Sequence, residues 1–216
     1  MKSVSQLLPS ASLSGFGYCL RQALLGSIIL FFVACTNNNP VIKGTLPSDH
    51  YHGEWVYWAP LVGATPETVD SARINKDAFN IAISDHNLNK MGRIRVKPVL
   101  RQALQDILVF AEAGTIQVKL DSISSASGTP LNEVLQQWKD RKQIFDNEVY
   151  ALQREYRAAG EDEKTGIQEE FENISVVYHD DIYQIVVENK DNEVGKFIFS
   201  LHKSKFTPEQ ISEIEQ

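Results

Sequence analysis

A long apolar repeat between Thr129 and Gly160 constrains the fold of this chain more than any other feature. Its side chains recur at alternating steps of four and three residues, which is the period of one helix face. Thr129 can cap such a helix, Pro130 fits its first position, and Gly160 ends it. The positions of this seam are Leu131, Leu135, Trp138, Lys142, Phe145, Val149, Leu152 and Tyr156. The pattern predicts one helix over about 130–159, about 45 Å long at 1.5 Å per residue.

The seam can pack on the sheet of its own domain or against a helix of another chain. We favour packing within the domain, because a sheet with one apolar face needs cover. Lys142 is the one charged residue in the seam, and dry burial of its charge would be costly. We therefore expect Lys142 to reach past the edge of the core or to pair with Asp146 one turn further on.

Alternating apolar and polar residues predict strands on both sides of the long helix. The predicted strands are 54–58, 79–83, 93–97, 116–120, 182–188 and 194–201, and further helices are predicted to begin at 65, 98, 161 and 207. The turn-rich stretch 85–92 predicts a hairpin of the second and third strands. This order predicts an α+β fold, with a mainly antiparallel sheet packed with helices on one face.

The N-terminal region has an apolar stretch that ends at Cys35. The stretch 23–34 is uncharged and follows Arg21, and a polar spacer with three asparagines comes after the cysteine. A spanning helix needs about 20 apolar residues, so this stretch of 12 is too short to be one. It does fit the apolar core of a signal peptide behind a positive flank.

This arrangement resembles the signal region of bacterial lipoproteins. The resemblance implies cleavage after Ala34 and a covalent lipid on Cys35. Thr36, where an aspartate would favour the inner membrane, implies the outer membrane. The predicted organisation is a signal peptide at 1–34, a lipidated cysteine and flexible tether at 35–49, and a single α+β domain at 50–216.

The composition after cleavage excludes several classes of function. Loss of Lys2 and Arg21 leaves 19 basic against 28 acidic residues, a formal charge of −9. That balance disfavours nucleic acid as a partner, and it leaves the lipid to hold the protein at an anionic membrane. Only Cys35 remains as a cysteine, so no internal disulfide and no catalytic thiol is expected.

Motifs of catalytic chemistry are missing from the chain. It contains no Gly-x-Ser-x-Gly, His-Glu-x-x-His or Cys-x-x-Cys pattern and no phosphate-binding glycine loop. We therefore predict no catalytic residues and no cofactor besides the lipid, and we favour a binding protein over an enzyme.

His50, His52 and Glu54 form the candidate metal site. In an extended segment, residues two apart face the same way, so both imidazoles could reach one ion and Glu54 could be a third ligand. The alternative is that these side chains are solvated near the tether and bind nothing.

Two short segments are candidates for a partner or ligand surface. Trp55, Tyr57 and Trp58 could stack on a ligand ring or fill the core. The stripe of Arg93, Arg95 and Lys97 could meet phosphates, carboxylates or an acidic partner, or it could be a charged solvent face that prevents edge pairing.

Gly53-Glu54-Trp55 resembles the Gly-x-Trp signature of lipocalins. This resemblance implies a ligand-binding barrel in which Trp55 closes one end. A lipocalin needs eight successive strands, however, whereas this sequence predicts a long helix in its middle.

These observations predict a lipid-anchored, non-enzymatic interaction or assembly module of the cell envelope. Its partners would be the membrane, through the lipid, and an envelope protein. The alternative is a small-ligand or metal-binding envelope lipoprotein.

Overall fold

A computed structural model describes residues 39–97 and 104–216, which form a β-sandwich and a helical layer. In this part of the chain the strands are β1 Val41–Thr45, β2 Trp55–Pro60, β3 Asp70–Arg73, β4 Ala78–Ala82, β5 Met91–Val96, β6 Ile107–Phe110, β7 Thr115–Lys119 and β8 Ser125–Ser127. The first sheet has the order β4-β1-β7-β8 and the second has the order β3-β2-β5-β6. All neighbouring strands are antiparallel except β1 and β7, which are parallel.

The two sheets enclose one apolar core between them. Strand alternation places Ile42, Ile81 and Ile116 of the first sheet and Trp58 and Ile94 of the second inside, each fully buried.

Two glycines make room for large rings in this core. A Cβ atom on Gly44 would lie 1.9 Å from the Phe79 ring, and one on Gly92 would lie 2.2 Å from the Trp58 ring. Glycine is therefore required at both positions by close approach of an aromatic side chain.

The helical layer follows the sandwich in sequence. Its helices are α1 Pro130–Ala158, α2 Glu161–Glu188, α3 Glu193–His202 and α4 Pro208–Ile214. Phe145 of α1 stacks on Tyr178 of α2 at 4.2 Å between ring centroids, and Trp138 meets Phe197 of α3 edge-on at 6.1 Å. These contacts form a second apolar core, which also includes Phe110 of β6. No helix in residues 39–97 or 104–216 combines the length and apolar character needed to cross a bilayer.

The seam packs within the chain, as predicted, but mainly against α2 and α3; only its first turns cover the sheet, which was the expected role of the whole seam. Leu135 is fully buried and Trp138 nearly so, and both belong to the second core. Leu152 is also nearly buried and lies beside Ile167 of the facing helix α2. Lys142 is exposed, and its Nζ lies 2.5 Å from the Asp146 carboxylate, the ion pair expected from the sequence.

The side chain of Asn132 joins the helical layer to the sandwich. It is fully buried, and its Oδ1 accepts the backbone N–H of Phe110 at 2.9 Å while its Nδ2 donates to the Phe110 carbonyl at 2.8 Å. Glu112 Oε1 accepts the backbone N–H of Leu131 at 2.8 Å and of Asn132 at 3.1 Å. The free N–H groups at the start of α1 are thus satisfied from the sandwich.

The predicted α+β class and the long helix are confirmed, whereas the arrangement of the strands differs from expectation. The segments 79–83 and 93–97 lie in different sheets as β4 and β5, so the predicted hairpin is wrong. We expected one sheet with helices on one face. The structure has two sheets that face each other, and the helices cover part of the outer face of the second sheet.

Three predicted elements have a different secondary structure. The strands predicted at 182–188 and 194–201 lie in α2 and α3, and the helix predicted from 98 is strand β6 where it reaches 107–110. β6 reads as continuously apolar because the core covers one of its faces and the helices cover the other. The expected start of that helix, at 98–103, lies outside the described residues.

Two boundaries also change. The tether expected at 35–49 is shorter, because Val41–Thr45 form β1, which lies between two other strands of the first sheet. The helix expected at residue 65 is a single turn, in which the N–H of Thr68 donates to the carbonyl of Thr65 at 3.0 Å. Cys35 and the signal region lie outside the described residues.

Substitution of Gly92 tests the close packing of the sandwich. Gly92→Ala should lower the free energy of unfolding by about 1–3 kcal/mol, because the new methyl group overlaps the Trp58 ring. The control is Gly166→Ala in α2, where a Cβ meets nothing within 4 Å and stability should rise by about 1 kcal/mol. Equal effects of the two changes in urea unfolding would contradict this packing.

His202 should make the helical layer sensitive to acid. Trp138 Nε1–H donates to His202 Nε2 at 3.2 Å, which requires a neutral imidazole. Burial lowers the pKa of His202 below its ordinary value of 6.5, and the nearby His179 and Lys142 lower it further. The unfolded chain therefore binds the proton more tightly, and stability should fall as the pH drops below 6.5.

The variant His202→Gln keeps an acceptor near Trp138 and does not titrate. Urea unfolding at several pH values should show a smaller loss of stability in acid for this variant than for the natural chain. His86→Gln, at an exposed position, serves as the control and should leave the pH profile unchanged. Identical profiles for all three proteins would rule out His202 as a source of acid sensitivity.

Candidate partner-binding face

The outer face of the second sheet carries two exposed aromatic side chains on β2. Alternation along β2 turns Val56 and Trp58 into the core and leaves Trp55 and Tyr57 outside, 39% and 38% exposed. The two rings lie 6.5 Å apart at an interplanar angle of 28°. The guanidinium of Arg73, on β3, lies 4.3 Å from the centroid of the Trp55 ring, a cation–π contact.

Basic side chains lie beside these rings. Arg95 of β5 is the register partner of Tyr57, and Arg93 and Lys97 stand on the same side of that strand. Asp106 pairs with Arg95 at 2.9 Å and with Arg93 at 4.0 Å. With Arg73, the face carries four basic groups, two of which pair with Asp106, on a chain whose formal net charge is −7.

An open hollow of about 680 Å³ lies between these groups and the loop that joins β2 to β3. Tyr57 and Ala59 contribute to its lining from β2, and Arg95 and Lys97 from β5. Ala64–Pro66 of the loop close one side. Apolar surface next to fixed positive charge suits a group that has both an apolar part and a negative charge.

The helical layer leaves this part of the sheet uncovered. Phe110, Leu108 and Met91 lie toward the β6 edge of the same outer face, and they belong to the helical core. Lys139 of α1 marks the border, because its Nζ donates to the carbonyl of Leu108 at 3.3 Å. Burial lowers the pKa of Lys139 to about 8.

The structure therefore brings together most of the residues proposed from sequence as a partner surface. We call the set Trp55, Tyr57, Arg73, Arg93, Arg95 and Lys97 the aromatic–basic face. Trp58 differs from the other candidates, because it is fully buried and fills the core, the alternative use considered for it. The sequence analysis missed Arg73 because the segment 70–73 contains few residues that favour strands. The available signal was that Ser71 and Arg73 are two residues apart and would share one face of a strand.

The candidate metal residues lie in a turn and not in an extended segment. His50 is part of a short 3-10 helix, Asp49–Tyr51, and its Nδ1 lies 3.0 Å from Ser48 Oγ. His52 Nδ1 accepts the backbone N–H of Lys76 at 2.9 Å. Residues 39–97 and 104–216 contain no group of three or more His, Cys, Asp or Glu residues placed to hold a metal ion. Metal binding by His50, His52 and Glu54 stays a prediction.

The lipocalin resemblance does not extend to the architecture. The strands form two four-stranded sheets and not one closed barrel, and Trp55 lies on an outer face instead of closing an end. Here Gly53 lies in the turn before β2 and has a φ of +81°, which accounts for a glycine at this position.

A family model described as a domain of unknown function (DUF4369) matches residues 41–135, which span both sheets and the first turns of α1. The chain is similar to this family over the sandwich, and the description of the family gives no activity. No curated protein and no solved structure matches the chain at a significant level.

Collisional quenching tests the exposure and the charge of the face. Of the three tryptophans, Trp58 and Trp138 are buried, so quenchable emission should come from Trp55. Relative to their effects on free tryptophan, iodide should quench this emission more and caesium less, because Arg73 lies over the ring. Arg73→Gln should reduce the difference, and Trp55→Phe should remove most of the quenching. An iodide-to-caesium quenching ratio equal to that of free tryptophan would contradict a positive surface at Trp55.

Proposed function

We propose that the protein is a lipid-anchored, non-enzymatic interaction module of the bacterial cell envelope. It is held at the outer membrane through Cys35, and its aromatic–basic face binds an acidic segment of an envelope protein. The observation that carries the binding part is the cluster of Trp55, Tyr57, Arg73, Arg95 and Lys97 on the uncovered half of the second sheet. The anchor rests on the sequence around Cys35.

Charge and shape together favour a protein partner of this kind. Arginine and aromatic side chains contribute strongly to binding when they gather in one patch, and both are present beside a hollow. The patch is positive on a chain of negative net charge, so it attracts carboxylates against the overall charge of the protein. An extended acidic segment with an apolar or aromatic side chain would place that side chain over Tyr57 and its carboxylates near Arg95 and Lys97.

The first sheet offers a matched control surface. Lys43 of β1 and Lys119 of β7 are exposed on its outer face, so they present the same charge on the same kind of strand. No aromatic pair accompanies them on β1 or β7. A partner that recognises positive charge alone would use both surfaces, whereas one that recognises the aromatic–basic face would use only the second sheet.

Site-specific crosslinking in cells tests this proposal. A photoreactive amino acid at position 57 of the full-length, lipidated chain should give a defined protein adduct, and one at Gln117 on the first sheet should not. The double reversal Arg95→Glu with Lys97→Glu should lower the yield about tenfold. The control reversal Lys43→Glu with Lys119→Glu should leave the yield unchanged. Thermal unfolding should show that both double variants remain folded, because all four side chains are exposed.

The adduct itself distinguishes the partner classes. Peptide sequencing of the adduct should place the crosslink in a segment rich in aspartate and glutamate. An adduct that a protease leaves intact and a glycan-strand hydrolase removes would contradict a protein partner. A yield that is insensitive to the Arg95 and Lys97 reversals would contradict binding by this face.

A further inference from the structure

The loop between β2 and β3 exposes two adjacent aliphatic side chains. Val62 is 87% exposed and Leu61 is 40% exposed, the first being the highest value among the large exposed apolar residues of the described chain. The surrounding stretch 59–66 contains no charged residue. Gly63, with a φ of +73°, makes the turn that presents these side chains at the tip.

This loop lies at the end of the sandwich where the described chain begins. The Nδ2 of Asn39 donates to Asp85 at 2.8 Å, and the Nδ2 of Asn87, two residues further on, donates to the carbonyl of Thr68 at 2.8 Å. The backbone N–H of Leu61 donates to Met91 at 3.0 Å at the same end. The segment 85–87 thus connects Asn39 directly to the loop.

The lipid proposed on Cys35 would hold that end close to the bilayer. Cys35 precedes Asn39 by four residues, which reach at most about 14 Å when fully extended. A domain tethered so closely keeps one end within reach of the headgroups. Exposed aliphatic side chains at that end would lose water-accessible area on entering the interface, which favours insertion.

The helices point the other way. α1 runs along β6 in the direction from Phe110 toward Gln105. Its first turn contacts Phe110, and Lys139 contacts Leu108. Further along, Asp146 lines the same pocket as Gln105. The helix therefore runs away from the end that contains Leu61 and Met91, because Phe110 pairs with Met91. From Asp146 to Ala158 the helix continues about 18 Å at 1.5 Å per residue.

We infer that Leu61 and Val62 form a membrane contact, in which the loop tip enters the interfacial layer of the bilayer and fixes the orientation of the domain. This inference rests on the proposed lipid anchor at Cys35. The paired ends of α1 and α2 then point away from the membrane. The exposed charges near the base of the loop, Glu67, Asp85, Lys90 and Arg93, sum to zero. The contact should therefore depend on apolar insertion and not on anionic lipid.

A fluorescent probe on the loop tests this contact. The lipidated full-length chain with Val62→Cys is labelled with an environment-sensitive dye and reconstituted in vesicles of phosphatidylethanolamine and phosphatidylglycerol. Its emission should shift to shorter wavelength, and a nitroxide on the lipid headgroup should quench it. The control Asp77→Cys, at an exposed position in the β3–β4 loop at the opposite end, should show neither effect. Replacing phosphatidylglycerol with phosphatidylcholine should not change the result.

A second pair of variants measures what the contact contributes. Leu61→Ser with Val62→Ser should make transfer of the lipidated protein between vesicles about tenfold faster, because the two aliphatic side chains that enter the bilayer are lost. Ile123→Ser removes a 60% exposed aliphatic side chain near the opposite end and should leave the transfer rate unchanged.

The outcomes separate the contact from the anchor. A mass of Cys35 without acyl chains would overturn the anchor and the contact together. Acylated Cys35 with an unquenched probe at position 62, or an unchanged transfer rate for the double variant, would overturn the membrane contact alone. Failure of the crosslink at position 57 would contradict binding by the aromatic–basic face, and it would leave the lipid anchor and the membrane contact standing.

Discussion

The arrangement of this protein depends on the pairing between Asn132 and the backbone of Phe110. β6 is an edge strand of the second sheet, so Phe110 needs partners for its N–H and C=O beyond β5. Asn132 provides both with a single buried amide, and its Nδ2 also donates to Thr129 Oγ1 at 2.8 Å. A buried polar group left unpaired costs about 1–3 kcal/mol, so this contact determines where α1 meets the sheet.

Glu112 extends the same junction to the helix terminus. Its carboxylate accepts the first free N–H groups of α1, where the helix dipole favours negative charge. Both contacts come from the segment 110–112, and both act on the first turn of α1. The sandwich therefore specifies where the long helix begins, and the seam then determines how α2 packs along it.

The position of α1 has consequences for the rest of the second sheet. The helices cover the outer face over β6 and the start of β5, and they leave β2, β3 and the end of β5 open. The aromatic–basic face occupies this open part. The proposed function therefore depends on where the helical layer stops, which the Asn132 junction and the border at Lys139 set together.

The sequence predicted the long helix and the fold class, and it offered most residues of the face as candidates. The seam was readable because eight positions repeat with one period, and Trp55, Tyr57, Arg93 and Arg95 were readable because strand alternation is local. The helices at 182–201 were misread because β-branched residues such as Ile182 and Val194 favour strands, and here tertiary packing overrides that preference. The pairing of Asn132 with Phe110 joins residues 22 apart through one amide, so no local pattern indicates it.

Hydrogen exchange at the amide of Phe110 tests the junction most directly. In the natural chain this amide should exchange as slowly as the core amides of β1, because the helical layer and the sandwich would open together. Asn132→Ala should lose that protection while β1 keeps its own, and the exposed Asn147→Ala in the same helix should change neither. Rapid exchange of Phe110 in the natural chain, or full protection in Asn132→Ala, would contradict the account.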